Sequence, residues 1–376
     1  MAKKKKTALL DFSKFLSIDD IKKNTESLGF ISLSPNLDIR MGGGVQEGSF
    51  MFVRTLPKVG KTTLLSDFAR RCAKQKRHVF YFDTESRLSD RNIFRECYSE
   101  EDLELMRKYI HFEQFKIESE FKNGNDIYNY IYQMMQIPEM NGSVYIIDSF
   151  GKIIPKEQQE DSEIRADRRD MTPKLNADFC KKIGNILRSS KSIVIGVQHY
   201  ITDTGTHYGN PMKAAGGLKF DYDADYVLET KHNPLSLDGE KPLVTDEDFA
   251  NNKDGNLICW QIPYNKIIGP IMTKKAQDGV HNYLRYDQGV WRTMEIFEIL
   301  SKFTDIITIR GGGNYTMLMS DDMVSLKGKD KVIDFMEENL DYFEEEYLKF
   351  LQSKYPNVKY ESSNKNPLEE PTTSTK

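Results

Sequence analysis

One stretch, SFMFVRTLPKVGKTTLLSDFA over residues 49–69, limits what this chain can fold into more than any other. An apolar run (SFMFV) leads into the loop Thr55-Leu56-Pro57-Lys58-Val59-Gly60, and Lys61-Thr62-Thr63 then opens an amphipathic helical stretch. Strand, loop and helix in that order form the context that a phosphate-binding loop, G-x-x-x-x-G-K-[ST], requires. Backbone N–H groups and the positive end of a helix hold phosphate oxygens there; Lys61 reaches the β- and γ-phosphates and Thr62 binds Mg²⁺. The motif ordinarily starts with glycine, which permits a tight turn at the strand end, so Thr55 costs geometry rather than a chemical group. On this stretch alone a working nucleotide site, a variant of one and a turn holding Gly-Lys-Thr by chance all stay open.

The chain repeats the pattern on either side. Short apolar runs, HVFYF (78–82), YIHFEQF (109–115), SVYIID (143–148), SIVIGV (192–197), ADYVLET (224–230) and LICWQI (257–262), alternate with amphipathic stretches such as DIYNYIYQMMQI and LNADFCKKIGNILRSS. Continuous apolar strands separated by helices predict an α/β fold, a buried and mostly parallel twisted sheet with helices on both faces. Short connections among the later strands predict an antiparallel edge. Helical spacing over 9–24, with a Ser17-x-x-Asp20 capping pattern, predicts short helices in an N-terminal segment, 1–30, ahead of a core over 31–289. Past Gly289 the chain turns acidic and helical, with a hairpin expected around Gly311-Gly312-Gly313, so 290–355 reads as a small α+β domain. From 356 onward Pro, Ser, Thr and Asn dominate, and that tail is expected to be disordered.

Composition excludes little. Lys and Arg number 53 against 57 Asp and Glu, a net charge of -4, so any basic patch for nucleic acid must be local. Cys72, Cys97, Cys180 and Cys259 form no C-x-x-C pair; reduced thiols in a cytoplasmic protein, without a zinc site, are expected. No apolar run approaches the roughly 20 residues that span a bilayer, and MAKKKKT lacks the apolar stretch of a signal peptide. Lys3 to Lys6 read either as a solvated tail or as an arm attracted to phosphate.

Two further strand ends carry chemistry. SVYIID ends in Asp148, where a Walker B carboxylate holds Mg²⁺ through water, although an Asp also simply caps strand ends. HVFYFDTES ends in Asp83-Thr84-Glu85, and a carboxylate beside the phosphates orients and deprotonates an attacking water. Three strands ending in the right groups, in this order, leave little room for coincidence.

Residues 31–355 resemble the RecA-type recombinases, in character closest to phage recombinases of the UvsX type. The resemblance is carried by ISLSPNLDIRMGGGVQEGSF, FYFDTES, VYIIDSFGKIIPKEQQEDSEI and above all VQHYITDTGTHYGNPMKAAGGLKFDYDADYVLE. It implies a RecA-like ATPase core, ATP and Mg²⁺ as cofactors, Glu85 as the residue that activates water, and His199 as the sensor of the γ-phosphate, with neighbouring Gln198 as the alternative. Two DNA-binding loops are implied. The first, 155–173, offers Arg165, Arg168, Arg169 and, just beyond, Lys174 and Lys181; a merely solvated charged loop is the alternative. The second, 200–217, offers Lys213 and the peptide N–H groups of Gly216 and Gly217, with Tyr208 or Met212 as wedges between bases. Where the family presents two basic groups to the nucleotide of the neighbouring subunit, this chain has Tyr264 and Lys266, which leaves Lys266 as the cation acting in trans and makes slow turnover plausible.

The expected function is a DNA-dependent ATPase that forms a helical filament on single-stranded DNA, with ATP at subunit interfaces, and exchanges strands with duplex DNA. Recombination mediators and single-strand-binding proteins are candidate partners, and a membrane is not. A ring-forming helicase motor and a nucleotide-switched DNA-coating protein with little turnover are the competing expectations.

Overall fold

The computed structural model describes residues 18–89, 98–114, 119–161, 170–202, 212–214, 222–230, 232–267, 279–286, 288–320 and 322–356. Helix α1 (Ile18–Glu26) precedes strand β1 (Phe30–Ile31), helix α2 (Pro35–Met41) and strand β2 (Val45–Gln46). Within α1 no residue is buried. The earlier part of the expected N-terminal helix, and most of the expected disordered tail, lie outside the described residues. There follow β3 (Phe50–Thr55), α3 (Lys61–Lys74), β4 (Val79–Asp83), α4 (Glu100–Tyr109), β5 (Ile110–Gln114), α5 (Gly124–Met134), β6 (Val144–Asp148), α6 (Lys156–Gln159), α7 (Thr172–Ile183) and β7 (Ile193–Thr202). Strands β8 (Met212–Ala214), β9 (Tyr226–Thr230) and β10 (Leu235–Ser236), helix α8 (Asp246–Asn251), and strands β11 (Gly255–Asn265), β12 (Val280–Arg285) and β13 (Gly289–Val290) complete the core.

One large sheet runs in the order β13-β12-β11-β9-β3-β7-β6-β4-β5, parallel from β9 to β5 and antiparallel at the β11–β13 edge. This is the mostly parallel α/β architecture, with an antiparallel edge, that the apolar runs predict. Side chains alternate between faces. Met51 and Val53, Tyr81, Ile146, and Ile195 and Val197 pack with Leu64, Leu65 and Phe68 of α3. Phe50 and Phe52, Phe80 and Phe82, and Tyr145 and Ile147 pack with Ile127 and Ile131 of α5 and Phe179 and Ile183 of α7. Any group at the end of one of these strands therefore inherits a definite face.

The chain ends in helix α9 (Arg292–Phe303), a three-stranded antiparallel sheet of β14 (Ile307–Arg310), β15 (Asn314–Met319) and β16 (Asp322–Lys327), and helices α10 (Lys329–Glu338) and α11 (Leu340–Lys354). The expected hairpin lies at Gly311–Gly313, where Arg310 pairs with Asn314. Strand β16 was not foreseen from the sequence. These elements share a third apolar cluster with Leu257 and Tyr283 of the main sheet. Arg292 forks onto both Glu344 oxygens (Nη2 to Oε2, 2.7 Å) and donates to Ser32 at 3.0 Å, while Tyr347 donates to Asp38 at 3.1 Å.

At the same junction Glu295 is fully buried and accepts from Asn36 N (3.0 Å), Tyr283 N (3.0 Å) and Asn282 Nδ2 (2.8 Å). Burial outweighs those bonds and lifts its carboxyl to about 7. An acid raised in the folded state is stabilising while protonated, below its unfolded value, and that stability is lost as pH rises through the folded value. Between the two, the loss from Glu295 amounts to about 3 kcal/mol. The difference in unfolding free energy between the wild-type chain and Glu295→Gln, followed by denaturant titration, is expected to move against the wild type by about that amount from pH 5 to pH 8. Parallel curves would contradict the assignment.

Candidate nucleotide-binding site

The central strand β3 leads into the candidate phosphate loop. Thr55 is its last residue, in register with His199 of β7 and Thr230 of β9, buried, and donating its hydroxyl to Leu56 O at 2.8 Å. Its backbone is that of a strand, so the geometric cost expected of threonine does not arise at this position. The left-handed conformations fall later, at Lys58 (φ 61°) and Gly60 (φ 107°). Leu56 and Pro57 pass over the strand end, and Val59 is buried in the core beside α3. Lys58 is ion-paired with Asp246 and lies 5.7 Å from the centre of the Phe249 ring, which places α8 beside the loop. That pair is exposed and contributes little to stability.

Gly60 permits the last turn before Lys61, the first residue of α3, with Thr62 and Thr63 following in the first turn. A methyl group at Gly60 would lie 2.6 Å from Leu284 Cδ1 of β12. The leucine methyl can rotate away, but the positive φ remains. Gly60→Ala is thus expected to cost about 1–2 kcal/mol, read as a lowered thermal midpoint, together with loss of nucleotide binding. An unchanged midpoint would show that the loop tolerates the side chain.

Two strand ends bring the carboxylates alongside. Thr84 knits β4 to β6: its N–H donates to Asp148 O (2.8 Å), its hydroxyl donates to Ser149 O (3.0 Å) and it accepts from Ser149 N (2.8 Å). Asp83 caps the turn, accepting from Glu85 N at 3.2 Å, Leu88 N at 2.8 Å and Gln114 Nε2 at 3.0 Å. Glu85 is thereby held with Oε1 3.0 Å from His199 Nε2 and 3.3 Å from the Ser149 hydroxyl, and Oε2 3.4 Å from Arg87. Asp83, Thr84 and Ser149 were not singled out from sequence. The Asp83-Thr84-Glu85 run marked the strand end, but the bonds of Thr84 go to the main chain of Asp148 and Ser149 beyond another strand, which no local pattern announces.

Lys61, Glu85, Asp148 and His199 act on one another electrostatically. Burial lowers the Lys61 ammonium, with Asp148 and Glu85 holding it up and Arg87 adding to the fall. Burial raises Asp148 to about 6, aided by Glu85 and Asp83 and opposed by Lys61 and by the Tyr81 hydroxyl donating at 3.1 Å. Partial burial pushes Glu85 up, but His199, Arg87 and the bonds from Ser149 and His199 outweigh it and leave the carboxyl below its ordinary value. Burial, then Lys61, lowers His199 against the pull of Glu85.

A hydroxyl at Thr62 and a carboxylate at Asp148, with a half-buried lysine beside the carboxylates, suit a hard divalent cation shared with phosphate oxygens. Thr62 and Asp148 would hold Mg²⁺, whose charge would neutralise that of a triphosphate.

Gln198 does not join this group. Neighbouring residues of a strand face opposite ways, and the fully buried Gln198 accepts from Arg54 Nε at 2.6 Å on the far face of the sheet. Strand β7 also runs three residues beyond His199, where Tyr200, Ile201 and Thr202 pair with Ala214, Lys213 and Met212 of β8, so the expected second loop stands on a two-stranded stem. Arg165, Arg168, Arg169, Tyr208, Gly216 and Gly217 lie outside the described residues, and Lys213 is described only as backbone of β8. Lys174 and Lys181 are exposed on α7, two turns apart, without an ion pair among the described residues.

Lys266 lies at the other end of the sheet. Its N–H bonds Asp225 O at 2.9 Å, Asp225 Oδ2 accepts from Phe50 N at 3.0 Å, and its ammonium donates to Tyr222 O. It is level with the start of β3, whereas the phosphate loop leaves the end of that strand. Five residues of strand, about 16 Å, separate the two levels.

No protein-family model matches the chain. It is similar to Protein RecA of Petrotoga mobilis, 23% identical over 315 residues that cover 82% of this chain and 76% of that protein. It is also similar to the DNA repair protein RadA of two Helicobacter pylori strains, 38% identical over 84 residues and 37% over 82. Those shorter matches cover 22% and 21% of this chain, and span only 18% of each RadA. Homology to RecA and RadA proteins, at low identity, supports a RecA-family assignment for this chain, whose sheet and flanking helices form a RecA-like core.

Proposed function

We propose that this chain is an ATP-dependent recombinase: a DNA-dependent ATPase that assembles as a helical filament on single-stranded DNA and exchanges strands with a duplex. The observation that carries the reading is the 3.0 Å contact between Glu85 and His199. It links the carboxylate beside Lys61 and Asp148 to a strand that continues, without a break, to Thr202, where it pairs with β8. Nucleotide chemistry and the β7–β8 pair thereby share one rigid element, the arrangement a ligand-biased two-state coupling needs.

In this reading Lys61, Thr62 and the loop N–H groups hold the triphosphate, and Glu85 orients and accepts a proton from the attacking water. His199 holds Glu85 and reports the γ-phosphate. Lys213 and the glycines at 216 and 217 contact the DNA backbone, with the first loop and the Lys174–Lys181 face adding charge. Such contacts are blind to base sequence, as strand exchange demands. Lys266 completes the site of an adjoining copy. Tyr264, exposed where a second cation would stand, favours slow turnover. The phage character of the resemblance points to an infected bacterial cell as the setting, and no helix among the described residues is long and apolar enough to cross a membrane.

Negative-stain imaging with single-stranded DNA and a non-hydrolysable ATP analogue tests the reading. Regular helical filaments are expected for the wild-type chain and none for Lys61→Ala. Closed rings would favour a helicase motor instead, and filaments without phosphate release would favour a nucleotide-switched coat.

A further inference from the structure

Strand β7 is tied to its surroundings at three consecutive residues, and two of those ties serve no step described above. Arg54 and Gln198 are register partners on β3 and β7, 5% and 0% exposed, joined by the 2.6 Å bond from Arg54 Nε. Two residues on, and so on the same face, the Tyr200 hydroxyl donates to Glu229 Oε2 at 2.8 Å. Glu229 is the register partner of Arg54 on the other side, on β9, and is 9% exposed. Between these two ties His199 faces the opposite way, toward Glu85.

A guanidinium and a carboxylate buried in the middle of a sheet are expensive, and apolar side chains of similar volume often serve stability as well or better. Polar pairs add direction. Apolar burial is roughly proportional to area and indifferent to sliding, whereas a hydrogen bond fails within a few tenths of an ångström and a few tens of degrees. The positions where direction is bought are informative. Arg54 is one residue before the start of the phosphate loop, and Tyr200, paired with Ala214, is the first residue of β7 to pair with β8.

We propose that Arg54 and Glu229 are positioning residues that lock β7 to β3 and β9, so that a load on the paired strands β7 and β8 reaches Glu85 through His199 instead of being lost as slippage of β7. Neither residue shares the face that carries Lys61, Asp148 and Glu85. The inference rests on the reading above that the second loop grips DNA and the site hydrolyses ATP.

The test compares ATP hydrolysis with and without single-stranded DNA, alongside binding of a fluorescent ATP analogue. Arg54→Met and Glu229→Leu break the ties; Glu229→Gln keeps an acceptor for Tyr200. In the first two, stimulation by DNA is expected to fall about fivefold or more, while the DNA-free rate and nucleotide affinity stay within about twofold. Glu229→Gln is expected to keep the stimulation of the wild type, which a purely volumetric role would not predict. Should a breaking variant fail to fold by circular dichroism, Arg54→Lys, which keeps the charge and loses the Nε donor, is read in the same way. Undiminished stimulation in folded breaking variants overturns the inference, as does a parallel fall of DNA-free rate, affinity and stimulation. A wild-type chain whose hydrolysis ignores DNA overturns the functional reading itself, and the inference with it.

Discussion

Glu85→Gln is expected to lose ATP hydrolysis by on the order of 10²- to 10³-fold while binding nucleotide as before, measured as phosphate release and as affinity for a fluorescent ATP analogue. The range sits in the lower part of what general bases supply, and the geometry says why. Glu85 is surrounded by His199 at 3.0 Å, the Ser149 hydroxyl at 3.3 Å and Arg87 at 3.4 Å, and these partners outweigh burial to leave it below the ordinary carboxylate value. A carboxylate so held is ionised throughout the neutral range, ready to accept a proton, but its affinity for that proton is reduced. Orientation of water then accounts for more of its contribution than proton abstraction. Glutamine keeps the shape and one acceptor and loses the charge, so the effect falls on turnover. Burial and then Lys61 lower His199, which favours its neutral ring, and a ring hydrogen assigned to Nε2 then donates to Glu85. Equal loss of affinity and turnover in Glu85→Gln would make the residue a structural prop, and retained turnover would remove it from the chemistry altogether.

Much of this site was legible because its residues sit at the ends of apolar runs. A strand buried on both faces reads as a continuous apolar stretch, and the first polar groups after it must lie at the sheet's edge. Asp148 after VYII and Glu85 after VFYFDT follow that rule. What pairs across long separations was not legible. Arg54 interrupts the apolar run of the central strand, and its acceptor Gln198 is 144 residues away, so no local pattern announces the bond. Strand β7 was read as ending with the apolar run at Val197, and the resemblance implied a loop from residue 200, yet Tyr200, Ile201 and Thr202 have strand character and find a partner in β8. Strand β16 escaped notice since it alternates exposed Met323, Ser325 and Lys327 with half-buried Val324 and Leu326 at the surface of a small sheet, without an apolar run. Thr55 was read through the motif rather than through the strand. The register with His199 and Thr230 shows that the turn starts one position later than the consensus glycine suggests.

Lys266→Ala is expected to reduce hydrolysis by on the order of 10³-fold, the low end for a cation supplied in trans. Within a single chain the loss has no local explanation. Lys266 is level with Asp225 and Phe50, at the start of β3, and the phosphate loop leaves the opposite end of that strand, farther than a lysine side chain reaches. Its effect must be exerted on a second copy, which gives the prediction a form that a folding defect cannot imitate. Glu85→Gln, which binds nucleotide but lacks the carboxylate, and Lys266→Ala, lacking the donated cation, are each expected to be nearly inactive alone. Mixed in equal amounts in a head-to-tail assembly, they leave about one interface in four with an intact Glu85 facing an intact Lys266, so activity should return toward a quarter of the wild-type rate. Recovery of that kind requires both residues to meet across an interface. If the mixture stays as inactive as its components, while each variant still folds and joins filaments with the wild-type chain, Lys266 is not a residue donated in trans. The site would then draw its second cation from elsewhere.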